Sequence, residues 1–160
     1  MPSIRVRFIR DKGFISRAIS GITGSLFSHV EFGTPDGTWI GAHIEDGIRE
    51  RRANYCSPPL EYVYEIPITG DREIEALQWM RSKIGAAYNT VDILGLMFEA
   101  RSLRSPNRYI CSQFCTEGLI RFYGAHNVLN VLDDWTYRIT PETLHLSPIF
   151  VGNQISRREG

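Results

Sequence analysis

The segment HVEFGTPDGTWIGAHI, residues 29 to 44, decides the fold. Two short runs rich in β-branched and aromatic residues flank Thr34-Pro35-Asp36-Gly37-Thr38, where Pro presets one turn angle and Gly tolerates positive φ. The pattern predicts a β-hairpin. With the turn centred on Asp36, residues equidistant from it face each other: Thr34 with Thr38, Phe32 with Ile40 and His29 with His43. The two imidazoles become cross-strand neighbours, with Cβ atoms about 5 Å apart. Glu31 shares their face because strand side chains alternate with period two. A slip by one residue would send one histidine to the opposite face.

Outward from the hairpin, Ile4 to Ile9 alternates apolar and basic side chains, the period of a half-exposed strand. Phe14, Ile15, Ala18, Ile19, Ile22 and Leu26 recur at helical spacing. Tyr62 to Ile68 reads as a further strand. Asp71 caps a helix with Glu73 and Glu75 in its first turn, Ile74, Leu77 and Ile84 facing inward and Gly85 at its end. Val91 to Leu103 predicts a second helix, Pro106 and Asn107 break the chain, and Cys111 to Tyr123 predicts a third, stopped by Gly124. The tail, YRITPETLHLSPIFV, holds a turn at Thr140-Pro141 and a last short strand.

At 160 residues, 42% hydrophobic and 22% charged, the chain suits one globular α+β domain spanning residues 1–160. Lys plus Arg equals Asp plus Glu at 18 each, so the summed charge lacks the excess that neutralises phosphates and argues against a nucleic-acid partner. Three cysteines cannot all pair within one chain, which fits a reducing compartment. Arg5, Arg7 and Arg10 interrupt the apolar N-terminal residues, so no secretory signal is read there. The apolar run Ile93 to Phe98 is far short of the roughly 20 residues that span a bilayer. The chain therefore reads as soluble and cytoplasmic as made, with no transmembrane segment.

Chemistry concentrates in RYICSQFCTEGL, residues 108 to 119. Cys111 falls where an irregular segment meets a helix, and a thiol there feels the positive end of the macrodipole. Backbone N–H groups of the same turn suit an oxyanion. A histidine of the hairpin could take the thiol proton while a second polar group orients its ring. Free cysteine is also a common buried small hydrophobe, the reading given to Cys115 one turn later. A zinc site from Cys111, Cys115, His29 and His43 is the competing arrangement, but the separation of the two histidines does not fit H-x₃₋₅-H spacing. Cys56, before a Pro pair, reads as structural without a chemical partner, His126 and His145 as surface or turn residues, and Asp133, Asp134 and Trp135 as a turn with a buried aromatic.

The strings SGITGSLFSHVEF, GAHIEDGIR, GAAYNTVDILGL, YICSQFCTEGL and ITPETLHLSP together resemble the circularly permuted branch of the NlpC/P60 papain-like cysteine hydrolases, in which the histidine strand precedes the cysteine helix. The resemblance runs from about Phe14 to Pro148, and its most specific pieces are SHV at Ser28 to Val30 and CSQF at Cys111 to Phe114, where Gln113 stands in place of a common Glu. It implies a small antiparallel sheet packed on the cysteine helix, with Cys111 as nucleophile, His29 as general base and His43 as third member, as a histidine is in the related lecithin:retinol acyltransferase-like enzymes. Glu31 or Glu45 would be the alternative third residue, and Tyr88 resembles a tyrosine near the substrate cleft. The implied activity is thiolate attack on an amide or peptide bond, first of all in a peptidoglycan stem peptide, with no cofactor and no metal. A lipid acyltransferase or lipid hydrolase, suited by the apolar ILGLMF run, and a non-catalytic or zinc-binding module are the other readings. A cell-wall substrate would require release by lysis or a dedicated secretion system.

Overall fold

The computed structural model describes residues 1–10, 25–88, 108–128 and 139–159. The helix expected over Val91 to Leu103, with its ILGLMF run, and the turn at Asp133 to Trp135 lie outside these residues, as does all but the end of the one expected over Phe14 to Leu26.

The chain is mixed α+β. Strands β1 (Ser3–Arg10), β2 (His29–Gly33), β3 (Trp39–His43), β4 (Gly47–Arg51), β5 (Leu60–Pro67) and β8 (Gln154–Glu159) form an antiparallel sheet in the order β4-β3-β2-β1-β5-β8. Helix α1 spans Gly70–Ser82, α2 Cys111–Tyr123, α3 Ala125–Val128 and α4 Pro141–His145. A short parallel pair, β6 (Ala87–Tyr88) and β7 (Arg108–Tyr109), leads into α2.

The hairpin register is the expected one, with Phe32 opposite Ile40 and Gly33 opposite Trp39. Its turn closes through the Thr34 N–H to the Thr38 carbonyl at 3.0 Å, and Gly37 sits at φ +87°. Even-numbered residues of β1, β2 and β3 (Val6, Phe8, Val30, Phe32, Ile40) make one face, fully buried. Helix α2 lies on it: Phe114 meets Phe32 edge-on at 5.5 Å and stacks on Trp79 of α1 at 5.4 Å. The odd positions Arg7, Glu31 and Trp39 occupy the opposite face, while His29, at the first position of β2, is reached by Cys111 at the first position of α2.

Several expectations need correction. β1 is not half-exposed: it pairs on both edges, and Arg7 is 2% exposed because Tyr55 and Cys56 lie over it. Helix α1 starts at Gly70 with Thr69 at the N-cap, leaving Asp71 inside the first turn. Its buried face is Ala76 and Met80, whereas Ile74 and Ile84 are exposed, since docking of Trp79 on Phe114 sets the rotation of the helix. Thr140-Pro141 opens a helix rather than a simple turn, its Thr140 hydroxyl accepting the Thr143 N–H at 3.1 Å. The last strand comes later, at Gln154–Glu159. His145, expected at the surface or in a turn, is half-buried: its Nε2 lies 2.7 Å from the Tyr64 hydroxyl and its ring packs on Phe27 and Phe8. His126 is exposed, as expected.

Candidate active site

Matched positions in the hairpin put His29 at the start of β2 beside His43 at the end of β3, and their rings lie 4.3 Å apart on one face. Between them in register, Glu31 stands opposite Gly41. A methyl group at Gly41 would come within 2.8 Å of the Glu31 Cβ and 3.2 Å of both its Oε2 and the His29 Nε2. The missing side chain therefore lets the carboxylate fold across β3 toward the imidazoles. Glu31 Oε2 reaches His29 Nε2 at 3.5 Å and His43 Nε2 at 3.7 Å.

The other side of this carboxylate is tied down. Arg7 grips Oε1 through Nε at 2.7 Å and also through Nη2, while the Tyr55 hydroxyl donates to the carboxylate at 3.0 and 3.1 Å. The guanidinium lies 4.2 Å from the centre of the Trp39 ring, 5.3 Å from that of Tyr55, and pairs through Nη1 with Glu61 at 3.1 Å. Cys56, expected to lack a partner, sits 3.8 Å from Arg7 Nη2.

Cys111 is the first residue of α2, 5% exposed. Ile110 holds the N-cap position in extended conformation, and its N–H is accepted by Gln113 Oε1 at 3.3 Å. That bond fixes the entry of the chain into the helix. The Cys111 thiol meets the His29 ring, and Tyr88, placed beside Tyr109 by the β6–β7 pair, lies within electrostatic reach of it. Cys115 is fully buried beneath, with its thiol pushed well up by burial and by the charges of Cys111 and Glu31. Glu45 is exposed in the β3–β4 turn and makes no hydrogen bond or ion pair with either histidine among the described residues.

The two imidazoles differ electrostatically. Burial works against the charged form of His29, but its interactions with Cys111 and Glu31 outweigh this and push its pKa up to about 9. His43 is held below the ordinary histidine value, chiefly by burial and by the neighbouring His29 charge, despite its contact with Glu31. Burial would raise the Glu31 carboxyl, yet both histidines and Arg7 hold it well below the usual carboxylate range. At neutral pH the arrangement favours a charged His29, a neutral His43 and an ionised Glu31.

His29, Glu31 and His43 are also the described residues whose metal-binding atoms converge, all within 4.8 Å of one another. Neither cysteine belongs to that group, so the competing two-cysteine, two-histidine zinc arrangement does not form among the described residues. The Arg7 charge against Glu31 disfavours a divalent cation at this point.

Sequence reasoning placed Cys111, His29, His43 and Glu31, and missed Arg7, Tyr55 and Gly41. Arg7 resembled any basic residue on an open strand face. A signal for Gly41 existed, since a glycine directly across from a strand Glu marks a close approach. No known protein-family model matches this chain, and no curated protein is significantly similar to it. No helix of the described residues is long and apolar enough to cross a membrane.

Proposed function

We propose that the chain is a cysteine hydrolase of the papain-like, permuted NlpC/P60 type, acting on amide or peptide bonds. The carrying observation is the buried His29 imidazole set between the Cys111 side chain at the head of α2 and the Glu31 carboxylate. In the reaction His29 holds the proton that the Cys111 thiol gives up, and the sulfur attacks the carbonyl carbon. The carbonyl π pair moves onto oxygen, where N–H groups of the first turn of α2 receive it. The imidazolium gives its proton to the leaving nitrogen as the C–N bond breaks, leaving a thioester. Water, deprotonated by His29, then releases the acid and restores the thiol.

Peptidoglycan stem peptides are the preferred substrates. The test is intact-mass analysis after brief incubation with stem-peptide amides and, in parallel, long-chain acyl esters. An acyl adduct on Cys111 from the amides, absent in Cys111→Ala, supports the reading. Adducts from esters alone would move it to the lipid acyltransferase or lipid hydrolase class. Convergence of His29, Glu31 and His43 lends the zinc-binding reading one observation. Stoichiometric zinc in purified protein, with no adduct from either substrate, would favour that module.

A further inference from the structure

The imidazole of His145 is a titratable group that the proposed reaction does not use. It closes a cluster of rings: Phe27 at 4.6 Å, Phe8 at 5.1 Å, Tyr62 at 5.5 Å and Tyr64 at 5.6 Å, with Phe150 packed on Phe8 and Tyr64. Nε2 lies 2.7 Å from the Tyr64 hydroxyl, while Nδ1 is buried and meets no hydrogen-bonding partner among the described residues. A neutral ring leaves that one nitrogen unpaired in either tautomer. An imidazolium would leave there a donor that also carries charge, which is the costlier state. Burial accordingly holds His145 below the ordinary histidine value, against the opposite pull of Glu142. The helix that carries this ring also grips the approach to the candidate site. Glu142 Oε2 accepts the Leu26 N–H at 2.8 Å, and His145 rests on Phe27. Leu26 and Phe27 stand just before His29 in the chain, and the Ser28 N–H between them and His29 is bound to the Ile9 carbonyl at 3.0 Å.

We propose that α4 is an acid-sensitive latch on the segment leading to His29, closed while the His145 ring is neutral and released when that ring takes a proton from solvent. The latch works whatever bond Cys111 attacks. The charged and titratable groups packed around it are Tyr62 and Tyr64 on β5, Glu142 on α4 itself, Arg157 and Glu159 on β8, which meet Tyr62, and Arg10 on β1, which donates to the Leu26 carbonyl at 2.9 Å. An undocked His145 takes its proton near the ordinary 6.5, and the docked ring only at lower pH. The latch is therefore fully closed above pH 6.5, and its hold is lost as pH falls below that value.

The test is amide hydrogen exchange of the full chain, read by mass spectrometry at about pH 7.5 and about pH 5.5 and corrected for the intrinsic pH dependence of exchange. Exchange over residues 26–28 and 142–146 should rise together at the lower pH while β1 stays protected. One proton taken up on opening, one pH unit below 6.5, raises the open population by up to about tenfold. His145→Gln should abolish the rise. His145→Phe, which fills the same space without a titratable nitrogen, should do likewise and serves if the Gln variant fails to fold. His43 is also held below the ordinary histidine value, so His43→Gln is the control and should keep the rise. Glu142→Ala removes the other clasp and should raise exchange at Leu26 at both pH values. A rise confined to residues 142–146, one that survives both His145 variants, one that disappears in His43→Gln, or no rise at all would overturn the latch. None of these measurements involves Cys111, so their outcome is separate from that of the proposed function.

Discussion

Replacing Gly118 by Ala tests how tightly the helix bearing Cys111 is seated. In an open helix the change stabilises by about 1 kcal/mol through lower backbone entropy in the unfolded chain. Here a Cβ would stand 2.8 Å from Phe32 Cζ, 2.8 Å from Trp79 Cζ3 and 2.9 Å from Phe32 Cε2. Ordinary contact begins at 3.4 Å, so rings that are stacked or edge-packed on Phe114 must retreat by several tenths of an ångström. Overpacking of this kind costs about 1–3 kcal/mol. The net expectation is a loss of about 1 kcal/mol, which for a chain this size lowers Tm by about 2–4 °C. Gly70→Ala is the internal control: at the first position of α1 its Cβ meets only Pro2 Cγ, at 3.7 Å, so it should be neutral or slightly stabilising. The retreat would also tilt α2, and Gly118 is about 10 Å along the axis from Cys111 at 1.5 Å per residue. Alkylation of Cys111 at neutral pH should therefore change in Gly118→Ala and not in Gly70→Ala. A Tm for Gly118→Ala at or above that of the parent would refute the packing argument.

Three further outcomes follow from the same geometry. Iodoacetamide near neutral pH should label Cys111 well before Cys115, whose thiol is fully buried and pushed well up; preferential labelling of Cys115 in peptide maps would sink the assignment of the reactive thiol. Because the His29 pKa is raised from 6.5 to about 9 on folding, its stabilising contribution should be complete below pH 6.5 and be lost as pH rises through about 9. Urea midpoints at pH 6 and pH 9.5 should differ more for the native chain than for His29→Ala. Arg7→Met leaves Glu31 buried without its cation and should cost about 3–5 kcal/mol, whereas Arg7→Met with Glu31→Leu should recover much of that in urea melts, since removing both charges avoids the unpaired one.

What the sequence determined by itself was local. The Pro-Asp-Gly turn specified the hairpin and its register, because only one alignment closes that turn while burying Phe32 and Ile40, and the register brought His29, Glu31 and His43 to one face. Cys111 at the head of a helix ended by Gly124 was legible for the same reason, since caps and breakers act within a few residues. Tertiary structure decided the rest. Whether Arg7 faces water or a carboxylate depends on β1 being a central strand covered by Tyr55 and Cys56, which follows from pairing with β5, more than fifty positions away in the chain. The rotation of α1 was set by Trp79 meeting Phe114, not by the apolar period of its own residues. Likewise His145 is half-buried by its contacts with Tyr64, Phe8 and Phe27. Period and capping fix a strand or helix within itself, but the side that is buried is chosen by partners distant in sequence, and so is the charge state of the groups placed there.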